Sequence, residues 1–190
     1  MAPRRTAADI VEAVGVAAHE LFLERGPAAV SLRDVAAAAD VNLGLIHRYV
    51  GSKDDVVALV LDRHGAAASA ALEGARSLAE LLDLLASAHH SSGRLFAGIL
   101  LDDIDAVRLK RDFPVADSLV AALEAEAPWA DAVATAALLQ SLVLGWEVFS
   151  PYLLGAARAG RPPDERSLLR SALQAIVDQG RPATLRRGGS

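Results

Sequence analysis

Apolar residues recur three and four positions apart along most of the chain, while strand-length runs of alternating apolar and polar residues are absent. This spacing predicts an all-α protein of about nine helices. The first helix is predicted from about Ala7 to Glu24, with Ile10 and Val14 on its apolar stripe. Gly26 followed by Pro27 is a strong signal for its end.

Residues 31–56 contain three helix starts in close succession. Ser31 with Asp34 forms the pattern of a capping box, and Ser52 with Asp55 repeats it. Between them, Asn42 is a suitable N-cap. The predicted helices are Leu32–Ala39, Leu43–Val50 and one that starts at Lys53. Two short helices joined by a tight turn are typical of a helix-turn-helix motif, and Asp40 tolerates the left-handed conformation such a turn needs.

The remaining helices are predicted to be longer and more apolar. Pro151 is expected to kink or end the long helix in which it lies. These helices are predicted at Lys53–Ala71, Ser77–His90, Arg94–Val107, Val115–Ala125, Asp131–Leu154 and Asp164–Gln179. The predicted organisation is an N-terminal helix-turn-helix domain at 1–52, a helical bundle at 53–180 connected by the helix at 53–71, and a disordered tail at 181–190.

Composition limits the class of protein. With 53% hydrophobic and 23% charged residues in 190, the chain is predicted to be globular. The absence of cysteine excludes disulfides and fits a cytoplasmic protein. The N-terminus is not predicted to be a signal peptide. Ala132–Trp146, an uncharged run of 15 residues, is predicted to be a buried helix that is too short and too polar to span a membrane.

The charge balance argues against a protein that coats nucleic acid non-specifically. The net charge is −5, and residues 1–56 hold six cations and eight acids, a difference of −2. The acids are segregated, however, because Asp34, Asp54 and Asp55 fall in first helical turns, where the helix dipole favours them. A sequence-specific DNA-binding protein therefore remains compatible with this charge.

Residues from about Ala8 to Val60 resemble the DNA-binding domain of the TetR family of transcriptional regulators. The matching segments are Leu21–Gly26, Ser31–Ala36, Val41–Gly44 and Ser52–Val56. The family usually has Gly where this chain has Asp40. It usually has Tyr, His and Phe where this chain has His47, Tyr49 and Val50. These departures mean that a DNA sequence preferred elsewhere in the family does not transfer to this chain.

The resemblance places the third helix in the major groove of DNA. Helical phase agrees, because Ile46 and Val50 point inward and leave a polar, donor-rich edge. Arg48 is predicted to bind guanine or phosphate, and Leu43 and Leu45 to meet thymine methyls unless they pack on the second helix. The predicted DNA-binding residues are Ser31, Arg33, Asn42, Leu43, Leu45, His47, Arg48, Tyr49 and Lys53.

Some of these positions have a plainer interpretation. His47 and Lys53 are solvent-exposed bystanders in that interpretation. Arg4 and Arg5 form either an arm near the minor groove or an ordinary disordered end.

The resemblance also implies a small-molecule pocket and a two-fold dimer in the C-terminal bundle. The candidate pocket residues are His89, Phe96, Trp146, Glu147 and Phe149, with ordinary core packing as the alternative. The candidate dimer residues are Ala136, Gln140, Leu144, Leu169, Leu173 and Ile176, with a monomeric core as the alternative. Asp102, Asp103 and Asp105 are interpreted as a solvated face, and neither a metal nor a cofactor is predicted.

The function these features predict is a sequence-specific regulator that binds double-stranded DNA at a palindromic operator. In this hypothesis it is a homodimeric repressor, released when an unidentified small-molecule effector binds the bundle. The alternative is a helical scaffold of the same fold that no longer binds DNA. An enzyme is not predicted, because no nucleophile–base pair, metal constellation or phosphate-binding loop is visible.

Overall fold

The computed structural model describes residues 5–87, 92–102, 104–109 and 112–179. These residues form helices and connecting turns, without a strand in the described ranges. The helices are α1 (Ala7–Arg25), α2 (Leu32–Ala38), α3 (Leu43–Tyr49), α4 (Lys53–Leu72), α5 (Leu78–Ser87), α6 (Ser92–Leu101), α7 (Ala106–Leu109), α8 (Pro114–Glu126), α9 (Ala132–Ala156) and α10 (Glu165–Asp178). The prediction of an all-α fold is confirmed.

The chain divides into two compact units. Unit 1 comprises Met1–Ala67 and Arg94–Asp112, and unit 2 comprises Ala68–Gly93 and Phe113–Ser190. This division differs from the predicted boundary at residue 52. Leu95 and Ile99 of α6 are fully buried in the same core as Leu61 of α4, so part of the predicted bundle belongs with the N-terminal domain.

The core of unit 1 holds the three N-terminal helices together. Val14 and Phe22 of α1, Val35 of α2 and Ile46 of α3 are buried in one cluster. Both α2 and α3 have seven residues, a length that is marginal for an isolated helix. Their stability therefore depends on this shared apolar cluster and on the hydrogen bonds at their ends.

The helix predicted at Arg94–Val107 is interrupted. α6 ends at Leu101, and α7 starts only at Ala106. Two aspartates at this break accept hydrogen bonds from backbone N–H groups. Asp102 accepts a hydrogen bond from the backbone N–H of Ala28, at 2.6 Å, and Asp105 accepts one from the N–H of Arg108, at 3.0 Å. Such side-chain bonds to backbone groups compete with helix continuation.

Unit 2 is built around α9, which packs against α5, α8 and α10. Leu139 of α9, Leu82 of α5, Leu123 of α8 and Leu173 of α10 are fully buried in its core. Pro151 was expected to kink or end the helix. It does not end it, because α9 continues to Ala156. Pro151 lies near the end of α9, where the one helical hydrogen bond it removes interrupts little of the helix.

By length and composition, α9 is also the one helix in the described part of the chain that is apolar enough to cross a membrane. The 15-residue uncharged run is only the first part of α9, because the helix has 25 residues. Only 22% of its most apolar window is buried. Much of its apolar surface is therefore left uncovered by its own unit.

Candidate DNA-binding interface

Three successive helices of unit 1 start at side-chain caps. The Ser31 hydroxyl accepts from the N–H of Asp34 at 3.2 Å, and the Asp34 carboxylate accepts from the N–H of Ser31 at 2.8 Å. Ser52 and Asp55 form the same reciprocal pair at the start of α4. The predicted capping boxes are confirmed, and they fix where α2 and α4 begin.

The cap of α3 is simpler. The Asn42 side-chain oxygen accepts from the N–H of Gly44 at 2.7 Å. Asn42 therefore has a structural role at the start of the helix predicted to bind DNA, whatever it contacts outside the chain.

The turn between α2 and α3 passes through Asp40, whose φ is 51°. This is the left-handed conformation expected from the sequence, and Asp is one of the few residues other than Gly that adopts it readily. The N–H of Val41 then donates to the carbonyl of Ala36 at 3.0 Å and closes the end of α2. The short helix, the tight turn and the second short helix of the predicted motif are all present.

α3 has one buried side and one exposed side. Ile46 is fully buried, and Val50 packs partly buried beside it. His47, Arg48 and Tyr49 are exposed, and the Arg48 guanidinium lies 5.3 Å from the centre of the Tyr49 ring. This cation–π contact holds a charged donor over an aromatic surface on the outer side of the helix.

Leu43 and Leu45 lie between the buried and the exposed side of α3. Both are partly buried and pack against the core of unit 1. Each side chain therefore keeps part of its surface accessible, and contact with DNA remains a prediction.

Lys53 lies beside the turn that joins α1 to α2. Its ammonium donates to the carbonyl of Ala28 at 3.3 Å. The N–H of Ala28 in turn donates to the Asp102 carboxylate. Asp102 is a residue that sequence reasoning missed as a contributor to this interface. The signal was a single acid 74 residues away in sequence, which only the tertiary structure brings to the turn.

Several acids of unit 1 are held in place by hydrogen bonds or an ion pair within the unit. The Ser31 hydroxyl and N–H lower the pKa of Asp34, and those of Ser52 lower the pKa of Asp55. The Thr6 N–H and hydroxyl lower the pKa of Asp9 in the same way. Glu12 pairs with Arg63. By contrast, Arg33 is exposed and forms no ion pair with any residue in the described ranges.

A capped helix-turn-helix whose second helix exposes His47, Arg48 and Tyr49 defines a DNA-binding unit. Comparison with known proteins agrees. The sequence pattern of "Bacterial regulatory proteins, tetR family" matches residues 16–60. The HTH-type transcriptional repressor Rv3405c of Mycobacterium tuberculosis is 36% identical over 150 residues, which cover 78% of this chain and 77% of that protein. The HTH-type transcriptional regulator Mb3439c of Mycobacterium bovis matches equally well. The chain belongs to the TetR family and is a DNA-binding transcriptional regulator.

Solved structures show the same fold. A transcriptional regulator from Rhodococcus sp. Rha1 aligns with a TM-score of 0.66 and 21% identity, over 90% of this chain and 96% of that one. Salmonella enterica GusR aligns with a TM-score of 0.64 and 18% identity, over 89% and 95%. The multidrug binding protein EbrR, complexed with imidazole, aligns with a TM-score of 0.57 and 24% identity, over 96% and 99%.

The candidate pocket residues belong to both units of the chain. Phe96 belongs to unit 1, where its ring meets the edge of His64 at 5.6 Å. Trp146 donates its indole N–H to Glu165, and Phe149 is 57% exposed, both within unit 2. His89 lies outside the described residues.

Glu147 has the environment that most resembles a binding site. One carboxylate oxygen accepts from the N–H of Gly93 at 2.9 Å. The other oxygen is buried without a hydrogen-bond partner among the described residues, and so is the hydroxyl of Ser150, one turn further along α9. A cavity of about 290 Å³ in unit 2 lies elsewhere. It is lined by Ala71, Gly74, Ala75, Glu80, Asp83, Leu84 and Arg166.

The candidate dimer residues differ in how far they are buried within one chain. Ala136, Leu169 and Leu173 are buried in the core of unit 2, so they stabilise the fold of one chain and offer little surface to a second. Gln140, Leu144 and Ile176 are only partly exposed. The exposed apolar side chains of the last two helices are instead Val133, Leu138, Phe149, Tyr152 and Leu153 on α9 and Leu168 on α10.

Three of the exposed residues on α9 lie on one side of the helix. Leu138, Phe149 and Tyr152 are separated by eleven and three residues, which places them along a single stripe. Gly145 lies on the same stripe, and a Cβ added there would meet nothing within 4 Å. Val133 points about 140° away from this stripe. We call the residues Leu138, Gly145, Phe149 and Tyr152 the α9 stripe.

Two of the three aspartates near the end of α6 have partners in the described part of the chain. Asp102 and Asp105 bind backbone N–H groups, and Asp103 lies outside the described residues. Among residues whose placement is described, no group of three His, Cys, Asp or Glu side chains is close enough to hold a metal ion.

Proposed function

We propose that this regulator is a cytoplasmic homodimeric repressor that binds a palindromic operator through α3 and leaves it when a small molecule binds unit 2. The observation that carries the proposal is the exposed face of α3, with His47, Arg48 and Tyr49 above the buried Ile46. The three N-caps before α2, α3 and α4 hold this face in a defined position. Repression is inferred from the name of the relative Rv3405c.

Three cations are proposed to make the main contacts with DNA. Arg48 has a planar, bidentate donor group that matches guanine O6 and N7 in the major groove. Arg33 is exposed without an ion pair in the described ranges, and Lys53 is held at the α1–α2 turn by Ala28. We assign Arg33 and Lys53 to phosphates, which fix position without specifying sequence. His47 and Tyr49 are placed at the edge of this contact.

The α9 stripe is proposed as the dimer interface in place of the buried residues predicted from sequence. An apolar stripe of this kind is the normal signature of a protein–protein contact. Gly145 allows a second helix to approach closely. A two-fold dimer would then present two copies of α3 to half-sites about 34–36 Å apart or a multiple of that distance.

Glu147 and Ser150 are proposed to bind the effector. Buried polar atoms are rarely left without partners in native proteins, so two such oxygens on one side of α9 suggest a missing donor. An effector carrying an amine or hydroxyl donor would satisfy them. Thermal-shift screening of small amines and polyols should find compounds that stabilise the wild type and not Glu147→Gln. Equal stabilisation of both proteins would remove Glu147 from the site.

The central experiment is selection of binding sites from random duplex DNA at two salt concentrations. Enrichment of one pseudo-palindrome is expected. Arg48→Ala should lose discrimination at one base position, with a loss of about 1–3 kcal/mol. Lys53→Ala should weaken binding to all sequences and lower the salt slope by about 0.9 for each phosphate that the variant no longer neutralises.

Arg76→Ala is the matched control, since Arg76 is exposed in unit 2 and its loss changes the net charge equally. If folded wild-type protein enriches no sequence, the scaffold alternative replaces this proposal. If Arg48→Ala retains the affinity and specificity of the wild type, the assignment of α3 contacts is wrong.

The dimer has a matched test within α9. Phe149→Asp places a charge in the α9 stripe and should yield monomers in sedimentation velocity. Val133→Asp introduces the same charge on the other side of the helix, at a residue that is 68% exposed, and should leave the dimer intact. Dissociation by both substitutions, or by neither, would contradict the proposed interface.

A further inference from the structure

Arg5 is held at the start of α1 and is not free to act as an arm. The next residue, Thr6, caps the helix, because its hydroxyl accepts from the N–H of Asp9 and its own N–H donates to the Asp9 carboxylate at 2.8 Å. This capping box fixes the backbone beside Arg5. Arg5 therefore has a defined position relative to the rest of unit 1.

The Arg5 guanidinium binds the turn between α2 and α3. One nitrogen donates to the carbonyl of Ala39 at 3.0 Å and to that of Asp40 at 2.8 Å. The other nitrogen lies 3.4 Å from the Asp40 carboxylate. These two carbonyls follow the last turn of α2, where backbone acceptors lack helical donors. A planar guanidinium is suited to bind several oxygens at once.

Asp40 is the residue at which such support matters most. Its left-handed φ of 51° is accessible to Asp but is less favourable than for Gly. Its carboxylate is 93% exposed and would repel nearby phosphates if it were left unpaired. Arg5 addresses both effects, because it binds the two carbonyls of the turn and offsets the charge of the carboxylate.

We propose that Arg5 is a positioning residue, which clamps the helix-turn-helix at Asp40 and thereby fixes α3 for DNA binding without contacting DNA. This inference deepens the proposed function, on which its DNA-binding part rests. The competing role for Arg5 is a direct contact with phosphate. The two roles predict different salt dependence, different coupling to Asp40 and different behaviour of the DNA-free protein.

The experiment compares the full-length wild type with Arg5→Ala, Arg5→Lys, Asp40→Gly and the double variant Arg5→Ala/Asp40→Gly, with Arg76→Ala as the charge-matched control. In the DNA-free proteins, amide hydrogen exchange is measured at Asp40 and Val41, whose N–H groups bond to Ala37 and Ala36. Affinity for the selected operator is then measured over a range of salt concentrations.

If Arg5 clamps the turn, amide hydrogen exchange at Asp40 and Val41 should be faster in Arg5→Ala than in the wild type or Arg76→Ala. Affinity for the operator should fall roughly three- to tenfold, with the salt slope unchanged. Arg5→Lys should restore only part of the affinity, because an ammonium cannot reproduce the guanidinium geometry. Arg5→Ala should reduce operator affinity less in the Asp40→Gly background than in the wild type. In that background the turn adopts its conformation without strain and the carboxylate is already absent.

Two results would overturn the clamp. One is unchanged exchange at Asp40 and Val41 in Arg5→Ala. The other is a salt slope that falls by about 0.9 per DNA-binding domain, with full rescue by Arg5→Lys and the same reduction of affinity in both backgrounds, which would identify a phosphate contact. If the wild type binds no selected DNA, the proposed function fails, and the exchange measurement still decides whether Arg5 clamps the turn.

Discussion

Unit 1 and unit 2 differ in the length of their helices and in how much of the apolar surface of those helices is buried. In unit 1, α2 and α3 are short, and each begins at a side chain that accepts a backbone N–H. In unit 2, α9 is 25 residues long and apolar on most of its surface, and its partners bury only some of that surface. Side-chain caps also begin α9 and α10 of unit 2, at Asp131 and Asp164. They matter most for the seven-residue helices of unit 1, because helices this short are marginal on their own.

This difference matches what each unit is required to do. A helix that enters a DNA groove must present a few donors in a fixed place, so its ends and its turn have to be well defined. A unit that dimerises and binds a ligand, as we propose for unit 2, needs apolar surface and room to adjust. The caps of Ser31, Asn42 and Ser52 serve the first requirement, and the α9 stripe serves the second.

The largest effect on stability is expected from truncating a buried side chain in the core of unit 2. Leu139 is fully buried, so Leu139→Ala should lower the free energy of unfolding by about 2–5 kcal/mol. Val133→Ala, in the same helix but 68% exposed, should change it by less than about 0.5 kcal/mol. Urea denaturation followed by tryptophan fluorescence measures both. Similar values for the two variants would mean that burial in unit 2 is not distributed as described.

A smaller effect is expected at the tie between Asp102 and the α1–α2 turn. Asp102→Ala removes a charged acceptor from the N–H of Ala28 and should lower the stability of unit 1 by about 1.5 kcal/mol. It should also speed amide exchange at Ala28 and weaken operator binding, because Lys53 bonds to the same residue. Asp102→Asn keeps an acceptor oxygen and should restore much of the protection. Equal destabilisation in both variants would assign the effect to charge.

Loss of a single cap should cost about 1 kcal/mol. Ser31→Ala removes the acceptor for the N–H of Asp34 and should destabilise α2 by that amount, whereas Ser31→Asn retains an acceptor and should be nearly neutral. Amide exchange at Asp34 and Val35 reports this change directly. If Ser31→Ala leaves these amides as protected as in the wild type, packing alone holds α2 in place.

As the pH falls, unit 1 should begin to unfold at a higher pH than unit 2. The pKa values of Asp9, Asp34 and Asp55 lie below the ordinary 3.8 in the folded protein, so these groups stabilise unit 1 above that pH. Their contribution is lost as the pH falls from about 3.8 through the lowered folded-state pKa values. In the described part of unit 2, one carboxyl has its pKa lowered in this way, that of Asp164, by the Ser167 hydroxyl and N–H.

Both tryptophans, Trp129 and Trp146, belong to unit 2, and their fluorescence therefore reports that unit. In an acid titration, helical circular dichroism should start to fall at a higher pH than the pH at which tryptophan fluorescence changes. Coincident transitions would show that the two units unfold together and that the caps of unit 1 do not decide its acid stability.

The accuracy of the sequence predictions follows the same division. The starts of α2, α3 and α4 were predicted correctly because the capping residue and its partner lie within three positions of each other. The bond between the Ala28 N–H and Asp102 was not predicted, because it joins residues 74 positions apart. The role of Arg5 at Asp40 was missed for the same reason, since 35 positions separate the two residues.

The sequence by itself determined the all-α fold, the capped helix-turn-helix and the family. These depend on periodicity and on short-range hydrogen bonds, which are set by neighbouring residues. Only the tertiary structure decided which apolar residues are covered. Ala136, Leu169 and Leu173 are buried in the core of unit 2, while Phe149 and Tyr152 are exposed. When a helix is apolar on most sides, periodicity cannot select the buried face, because that choice depends on where the other helices pack.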